Sequence, residues 1–276
     1  MNAQSLQPVL VVIGVGGIGQ AIARRLGSGR SVLLADFDEI TLERAAAALR
    51  ADGFDVSTIR VDVADADSVA ALAATAARMG PVMQVAHTAG LSPVQAPADA
   101  IVAVDLRGVA LVLDAFAEVV APGGAGVVIA SMAGHLADVP ADQARAMALT
   151  ETPALGDLDF LAPDSLTDAH TAYGLAKHGN HLRVRAASPV WGRRGARINS
   201  ISPGIVSTPM GHQELAGSFG DTMRSMIARS AAGRIGTPDD IAAAAAFLLG
   251  PDASFITGTD LLVDGGTVAA LGAAVD

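Results

Sequence analysis

One tyrosine and one lysine occur in the whole chain, Tyr173 and Lys177, and they stand four positions apart. Every other basic side chain apart from histidine is an arginine. On a helix, positions i and i+4 share a face, so this spacing sets a phenol one turn from an ammonium. A free phenol titrates at about 10, and a neighbouring cation favours the phenolate. The pair is therefore expected to bring the Tyr173 phenol down toward working pH, ready to pass a proton to or from a carbonyl or alcohol oxygen. The bland alternative is a surface tyrosine beside a solvated lysine. It is weakened by the coincidence that each is the sole residue of its type.

A second chemical signature lies near the start. Gly14-Val15-Gly16-Gly17-Ile18-Gly19 follows an apolar, β-branched run and precedes a helical pattern. Glycines in that context let the backbone turn tightly and approach a pyrophosphate, which then sits at a positively polarised helix N-terminus. Asp36, about 20 residues further on, closes the second apolar run, where an acid accepts hydrogen bonds from a ribose diol. A carboxylate there repels a 2′-phosphate, and the following Phe37 supplies no compensating arginine, so NAD is expected over NADP. An S-adenosylmethionine methyltransferase would use the same two features, and only the second half of the chain separates the two.

These groups need elements to position them. Strands are expected over 9–13, 32–35, 58–61, 82–86, 126–130, 197–200 and 260–263. Helices are expected over 18–27, 39–51, 66–79, 99–120, 172–188 and 238–249. Several strands are continuously apolar, as in a parallel sheet covered on both faces. The alternation predicts an α/β fold, a Rossmann-type doubly wound parallel sheet of about seven strands in a single domain, 1–276. One segment departs from the rhythm. Between 137 and 168 lie three prolines (Pro140, Pro153, Pro163) and seven acids against one arginine, Arg145. A short helix over 141–150 fits within it, with Pro140 at its start.

Composition narrows the classes. The 276 residues carry 18 Lys+Arg against 28 Asp+Glu, a formal charge of −10. With no basic surplus to neutralise phosphates, neither nucleic acid nor an anionic membrane surface is an expected partner. The longest uncharged apolar run, 241–249, is far short of the ~20 residues of a bilayer span. The start of the chain lacks the basic region of a signal peptide. Cysteine is absent, so disulfides, thiolate metal sites and a cysteine nucleophile are excluded. A cytoplasmic enzyme is the expectation.

The company kept by Tyr173 and Lys177 resembles the short-chain dehydrogenases/reductases over nearly the full length. Asp62-Val63 is similar to that family's adenine-contacting pair, and Thr88-Ala89-Gly90 to the end of its Asn-Asn-Ala-Gly motif. Ser131, in Ile129-Ala130-Ser131-Met132-Ala133-Gly134, matches its catalytic serine. Residues 197–208, with Pro203-Gly204-Ile205-Val206-Ser207-Thr208, resemble the loop that holds the nicotinamide carboxamide. Gly258 and Val263-Asp264-Gly265-Gly266 match its last strand. The resemblance implies a catalytic set of Ser131, Tyr173, Lys177 and Asp105. It also implies cofactor contacts at Gly14, Gly16, Gly17, Ile18, Gly19, Asp36, Asp62, Val63, Ala89, Gly90, Tyr173, Lys177, Pro203, Gly204, Val206 and Thr208.

There are departures. The glycine loop is one residue shorter than the family's and opens on Ile13. Asp105 replaces the relay asparagine, where it is expected to hold a water near Lys177. His87 replaces the first Asn of the Asn-Asn-Ala-Gly motif. Ser131 and Tyr173 are 42 positions apart, against roughly a dozen in typical members, which makes 137–168 an acidic insertion. Bacterial hydroxysteroid dehydrogenases and carbonyl reductases with an insertion here, and with a Trp-Gly like Trp191-Gly192, are similar. No metal is expected: His178 and His181 lack a third ligand and read as surface residues.

The expected reaction interconverts a secondary alcohol and a ketone with NAD(H). Alternatives on the same scaffold are an epimerase or dehydratase and a non-catalytic NAD-binding regulator. The substrate pocket is expected from 132–135, the insertion and 209–234. That last stretch carries Met210, Leu215, Phe219, Met223, Met226 and Ile227, which suits a small apolar or alicyclic carbonyl or alcohol. The polar helix surface of His178, Asn180, His181, Arg183 and Arg185 looks unsuited to self-packing. The apolar tail over 267–275, the last strand and the 238–249 helix are expected to build a homo-oligomer, a dimer before a tetramer, with the insertion covering the other face.

Overall fold

The computed structural model describes residues 7–162, 164–166 and 168–272, so Pro163 and the tail from 273 lie outside it. Seven strands form one parallel sheet in the order β3-β2-β1-β4-β5-β6-β7. They are β1 (Val9–Ile13), β2 (Ser31–Asp36), β3 (Asp55–Arg60), β4 (Val82–His87), β5 (Val120–Ile129), β6 (Arg197–Pro203) and β7 (Asp260–Val263). The order reverses between β1 and β4, and such a switch point opens a crevice at the C-terminal strand ends.

The first helices are α1 (Gly17–Leu26), α2 (Glu39–Ala51), α3 (Ala66–Met79), α4 (Ala98–Ile101) and α5 (Val109–Val119). They are followed by α6 (Ala133–Leu136), α7 (Ala141–Leu149), α8 (Ala169–Arg193) and α9 (Pro209–Ala216). The last three are α10 (Gly220–Arg229), α11 (Pro238–Leu249) and α12 (Thr267–Gly272). Alternate side chains of β1 feed two cores. Val9, Val11 and Ile13 pack with residues of α3 and α5, and Leu10 and Val12 with α1, α2 and α11. All five are fully buried, which explains why a double-faced strand reads as an unbroken apolar run.

The predicted helix over 99–120 is three pieces. Val102–Gly108 is π-helical, joining α4 to α5, and Val120 already belongs to β5. A π segment widens the turn and re-aims the side chains within it, here Asp105, which it buries completely. The helix over 172–188 is longer than expected and runs through Pro189 to Arg193. Proline at 189 cannot donate to the Arg185 carbonyl, and the Ser188 hydroxyl donates to that carbonyl at 2.9 Å instead. The Asp168 side chain caps the start of α8 by accepting from the Thr171 N–H.

The 137–168 insertion packs as a third core. Met147, Leu155, Leu161 and Leu166 are buried against Ile101, Leu106, Ala172 and Ala176. Arg183, only 9% exposed, donates to the Thr150 carbonyl at 2.6 Å and to the Thr152 hydroxyl at 2.8 Å. Asn180 is fully buried as well. The polar surface expected on this helix is therefore partly interior, because the insertion covers it.

Candidate active site

Loops at the C-terminal ends of β1, β4, β5 and β6 surround a cavity of about 470 Å³. The β1 loop supplies the start of α1. Gly16 is its N-cap with no side-chain cap, and a Cβ on Gly16 would meet nothing within 4 Å. The first N–H groups of α1 therefore border open space. Gly14 has φ +88°, and a Cβ there would collide with the Ala89 backbone. A Cβ on Gly19 would collide with the Gly14 carbonyl. Thr88 donates to that same carbonyl at 2.5 Å, which ties the β1 and β4 loops together. Asp36 accepts from the Val15 N–H at 2.7 Å and from the Asp38 N–H at 3.0 Å, so its carboxylate stands beside the glycine loop.

On the far side of the cavity, α8 presents Tyr173 and Lys177 toward Ser131. The Ser131 hydroxyl accepts from the Ala133 N–H at 3.1 Å and is hydrogen-bonded to the Tyr173 phenol. Lys177 Nζ lies 5.3 Å from the centre of the Tyr173 ring and 3.0 Å from Asp105 Oδ2. It also donates to the Ile129 carbonyl at 3.4 Å. Asp105 Oδ1 accepts from the Leu91 N–H at 2.8 Å. A Cβ on Gly90 would press on both Asp105 and Lys177, so glycine at 90 makes room for the pair. Asp105 thus contacts Lys177 directly.

The electrostatics revise one expectation. Burial pushes the Tyr173 phenol up; Lys177 and the Ser131 hydrogen bond pull it back, Asp105 opposes them, and the net direction is upward. The sequence had implied a lowered value. Desolvation of the phenolate outweighs the neighbouring ammonium because that ammonium is itself neutralised by Asp105. Burial opposes the charge on Lys177, yet Asp105 and Tyr173 outweigh it and hold the ammonium above its ordinary value. Burial also drives His87 down to about 3, with Lys177 adding to the shift, so this imidazole is neutral.

Most of the predicted set converges. Gly16, Gly17, Ile18, Gly19, Gly90, Ser131, Tyr173, Lys177, Asp105, Pro203, Gly204, Val206 and Thr208 line the cavity. Gly14, Asp36, Asp62, Val63 and Ala89 do not. Gly14 and Ala89 pack behind it, and Asp62 accepts from the Ala64 N–H at 2.9 Å in the turn after β3. Met132, Ala133, Met210, Phe219, Met223 and Met226 line it as expected, while Leu215 and Ile227 do not. No described insertion residue reaches the lining, because the insertion's apolar side chains fill the third core.

Sequence reasoning missed several groups. Leu91, Pro93, Val94 and Gln95 in the β4 loop and His170 also line the cavity, and Glu214, within the expected 209–234 stretch, adds an acid to its apolar wall. Glu214 is half-buried, and burial raises its carboxyl above the usual range despite Lys177. Arg60, in register with Asp36 across β2 and β3, sets its guanidinium 4.6 Å over the Phe37 ring. An arginine thus stands beside Phe37 although none follows Asp36 in the sequence. Parallel pairing brings in a residue 24 positions away. His135 turns from the cavity to Asp260, and the ring of His181 lies 4.6 Å from that of His135. His181 is therefore not the surface residue expected.

The chain matches the family model described as "short chain dehydrogenase" over residues 7–141 and that described as "Enoyl-(Acyl carrier protein) reductase" over 157–268. It is 42% identical to the short-chain dehydrogenase/reductase bsc3 of Alternaria brassicicola, covering 96% of this chain and 97% of that protein. It is 33% identical to D-threitol dehydrogenase of Mycolicibacterium smegmatis, over 93% and 91%. The crystal structure of levodione reductase superposes with a TM-score of 0.76 at 28% identity, covering 96% of this chain and 98% of that one.

Proposed function

The chain belongs to the short-chain dehydrogenase/reductase family and is an oxidoreductase that interconverts secondary alcohols and ketones; from that premise we propose NAD(H) as its cofactor and Tyr173 as its acid/base. The observation that carries the reading is the convergence of Ser131, Tyr173 and Lys177 on one cavity that also reaches the N-terminus of α1. A nicotinamide dinucleotide fits the residues present. The open space at Gly16 beside unpaired helix N–H groups suits a pyrophosphate, and the glycines at 14 and 19 keep the backbone close. Gly16, Gly17, Ile18, Thr208, Val206 and Lys177 would hold it, with Asp36 toward the ribose, and Asp62, Val63 and Ala89 behind these. When bound, the nicotinamide supplies or accepts the hydride.

The chain's own residues handle the proton and the developing charge. In reduction, the Tyr173 phenol gives its proton to the carbonyl oxygen; in oxidation, the phenolate takes it back. Ser131 donates a hydrogen bond to the same oxygen, help worth about 2.7–4 kcal/mol for a well-placed donor. Lys177 stabilises the phenolate, and Asp105 fixes the direction of the lysine. The methionines and Phe219 wall the remaining space, which supports a small apolar or alicyclic alcohol or carbonyl as substrate.

NAD rests on Asp36, and Arg60 favours the second reading, NADP, because a guanidinium at this place could meet a 2′-phosphate. A panel of cyclic and acyclic ketones and alcohols, followed by nicotinamide absorbance with each cofactor, tests the activity. Calorimetry is expected to give NAD(H) binding about ten-fold tighter than NADP(H), with the gap closing in Asp36→Asn. Equal affinities in the unmodified chain would contradict the role of Asp36.

We propose further that the chain is one domain, 1–276, acting in the cytoplasm as a homo-oligomer. Exposed Phe247 on α11 and Phe255 just before the edge strand β7 support association through that side. Light scattering should show a dimer or tetramer that Phe255→Glu reduces toward monomer; a variant that assembles unchanged would contradict this face. No helix among the described residues is long and apolar enough to cross a membrane.

A further inference from the structure

Three side chains from three separate elements converge outside the lining of the cavity. His135 comes from α6, His181 from α8 and Asp260 from the first position of β7. One potential ligand atom from each lies within 4.8 Å of the others. His135 Nε2 is 2.7 Å from Asp260 Oδ2, and His181 Nε2 is 3.5 Å from Asp260 Oδ1. Two hydroxyls complete the surroundings. Ser202 Oγ is 2.8 Å from His181 Nε2, and Ser200 donates to Asp260 Oδ1 at 2.6 Å. The side chains of His181 and Asp260 are 10% exposed and that of His135 is 31% exposed, so a nearly dry floor has one open side.

We propose that His135, His181 and Asp260 form a binding site for a divalent transition-metal ion, best matched to Zn²⁺. Two imidazole nitrogens and one carboxylate are a borderline ligand set that suits zinc and disfavours magnesium and calcium, which take oxygen ligands. With zinc–ligand bonds of about 2.0–2.2 Å, two ligands of a tetrahedral ion stand about 3.4 Å apart. Here the two histidines meet different oxygens of Asp260, at 2.7 and 3.5 Å, and one atom from each of the three residues falls within 4.8 Å of the others, so small side-chain turns would reach that spacing. His135, on a four-residue helix with its ring partly in solvent, can turn to close the remaining gap. His181 turns its Nε2 toward Asp260 from a ring that is nearly buried, so a lone pair on that nitrogen would face the ion. Binding then needs only that the ring proton sit on Nδ1. The fourth position falls to water or to the Ser202 hydroxyl.

Such an ion would act as a clamp. His135 follows Ser131 by four residues, and His181 stands one helical turn beyond Lys177 on the same stripe of α8. Joining α6, α8 and β7 would fix the backbone behind Ser131 and Lys177 without entering the proton transfer. Only folding shows the set. The sequence presents His178 and His181 as a pair, whereas the fold leaves His178 out, brings His135 in from α6 and adds Asp260 because β7 pairs with β6.

The test uses the tag-free, chelator-treated full chain. Zn²⁺ is titrated by calorimetry, and Co²⁺ is followed by its visible absorption. The expected result is one ion per chain, and a midpoint of thermal unfolding raised by several degrees at Zn²⁺ about 100-fold above its dissociation constant. His135→Ala and Asp260→Asn should each weaken binding at least about ten-fold, and His212→Ala should leave it unchanged. If Asp260→Asn fails to fold, the partly exposed His135 decides the matter alone. No binding at about 100 µM Zn²⁺, or equal binding by His135→Ala and the unmodified chain, overturns the proposal.

Discussion

Around Gly16, Gly17 and Gly19 the cavity wall is backbone, whereas around α9 and α10 it is the side chains of Met210, Phe219, Met223 and Met226. Around the first wall, Gly14 and Gly19 tolerate no added atom, because a Cβ on either collides with main chain at the C-terminal ends of β1 and β4, whereas Gly16 faces open space. The second consists of flexible thioethers and one ring on two short helices, which can repack around different ligands. The two ends carry different kinds of specificity. In the proposed reading the backbone end would hold a ligand common to many reactions, and the side-chain end would select what is particular to this one.

The boundary between the two ends is the proton-transfer group, and breaking it should have the largest effect. Tyr173→Phe is expected to lower kcat about 10²–10⁴-fold while changing dinucleotide affinity little, measured by steady-state assay and calorimetry. Because burial raises the Tyr173 phenol, oxidation by the unmodified enzyme, which needs the phenolate, should keep rising with pH into the alkaline range. Reduction, which needs the neutral phenol, should not.

Next come two alanine variants at the backbone end, which separate fold from binding. Gly14→Ala forces a Cβ onto the Ala89 backbone at φ +88° and should cost roughly 1–3 kcal/mol or more of stability in urea unfolding. Gly16→Ala meets no protein atom, so stability should hold within about 0.5 kcal/mol while dinucleotide affinity falls about ten-fold. If Gly16→Ala binds normally, the space beside it is not where the cofactor lies. The smallest effect belongs to the side-chain end. Met223→Ala should raise KM roughly three- to ten-fold on an apolar ketone and leave kcat nearly unchanged.

The same contrast explains what the sequence made legible. Strand and helix spans over 9–13, 39–51, 66–79, 238–249 and 260–263 were readable to the residue, since period, caps and glycines are local signals. The capping box of Thr237 and Asp240 at the start of α11 is one of them. The glycines of the first loop, Tyr173 and Lys177 were legible as local spacing, and Ser131 through the resemblance to the family's motif; all of these but Gly14 line one cavity. Three features were not legible. The π-helical turn at Asp105 depends on tertiary packing, and no local pattern encodes it. The insertion was expected to line the pocket, while Met147, Leu155 and Leu161 instead build a core once α8 lies beneath them. Arg60 and His135 acquire their partners through strand pairing and long-range folding, which spacing along the chain does not reveal.

The central claim is that hydride passes between the cofactor and a carbonyl carbon while Tyr173 moves the proton. It is tested most directly by isotope. The unmodified enzyme is supplied with NADH deuterated at the transferable position and a cyclic ketone it accepts, and the alcohol is analysed by mass spectrometry. One deuterium should appear on the carbinol carbon, and none should appear there when unlabelled NADH is used in heavy water. Solvent deuterium on that carbon, or turnover without label from the cofactor, would contradict the account.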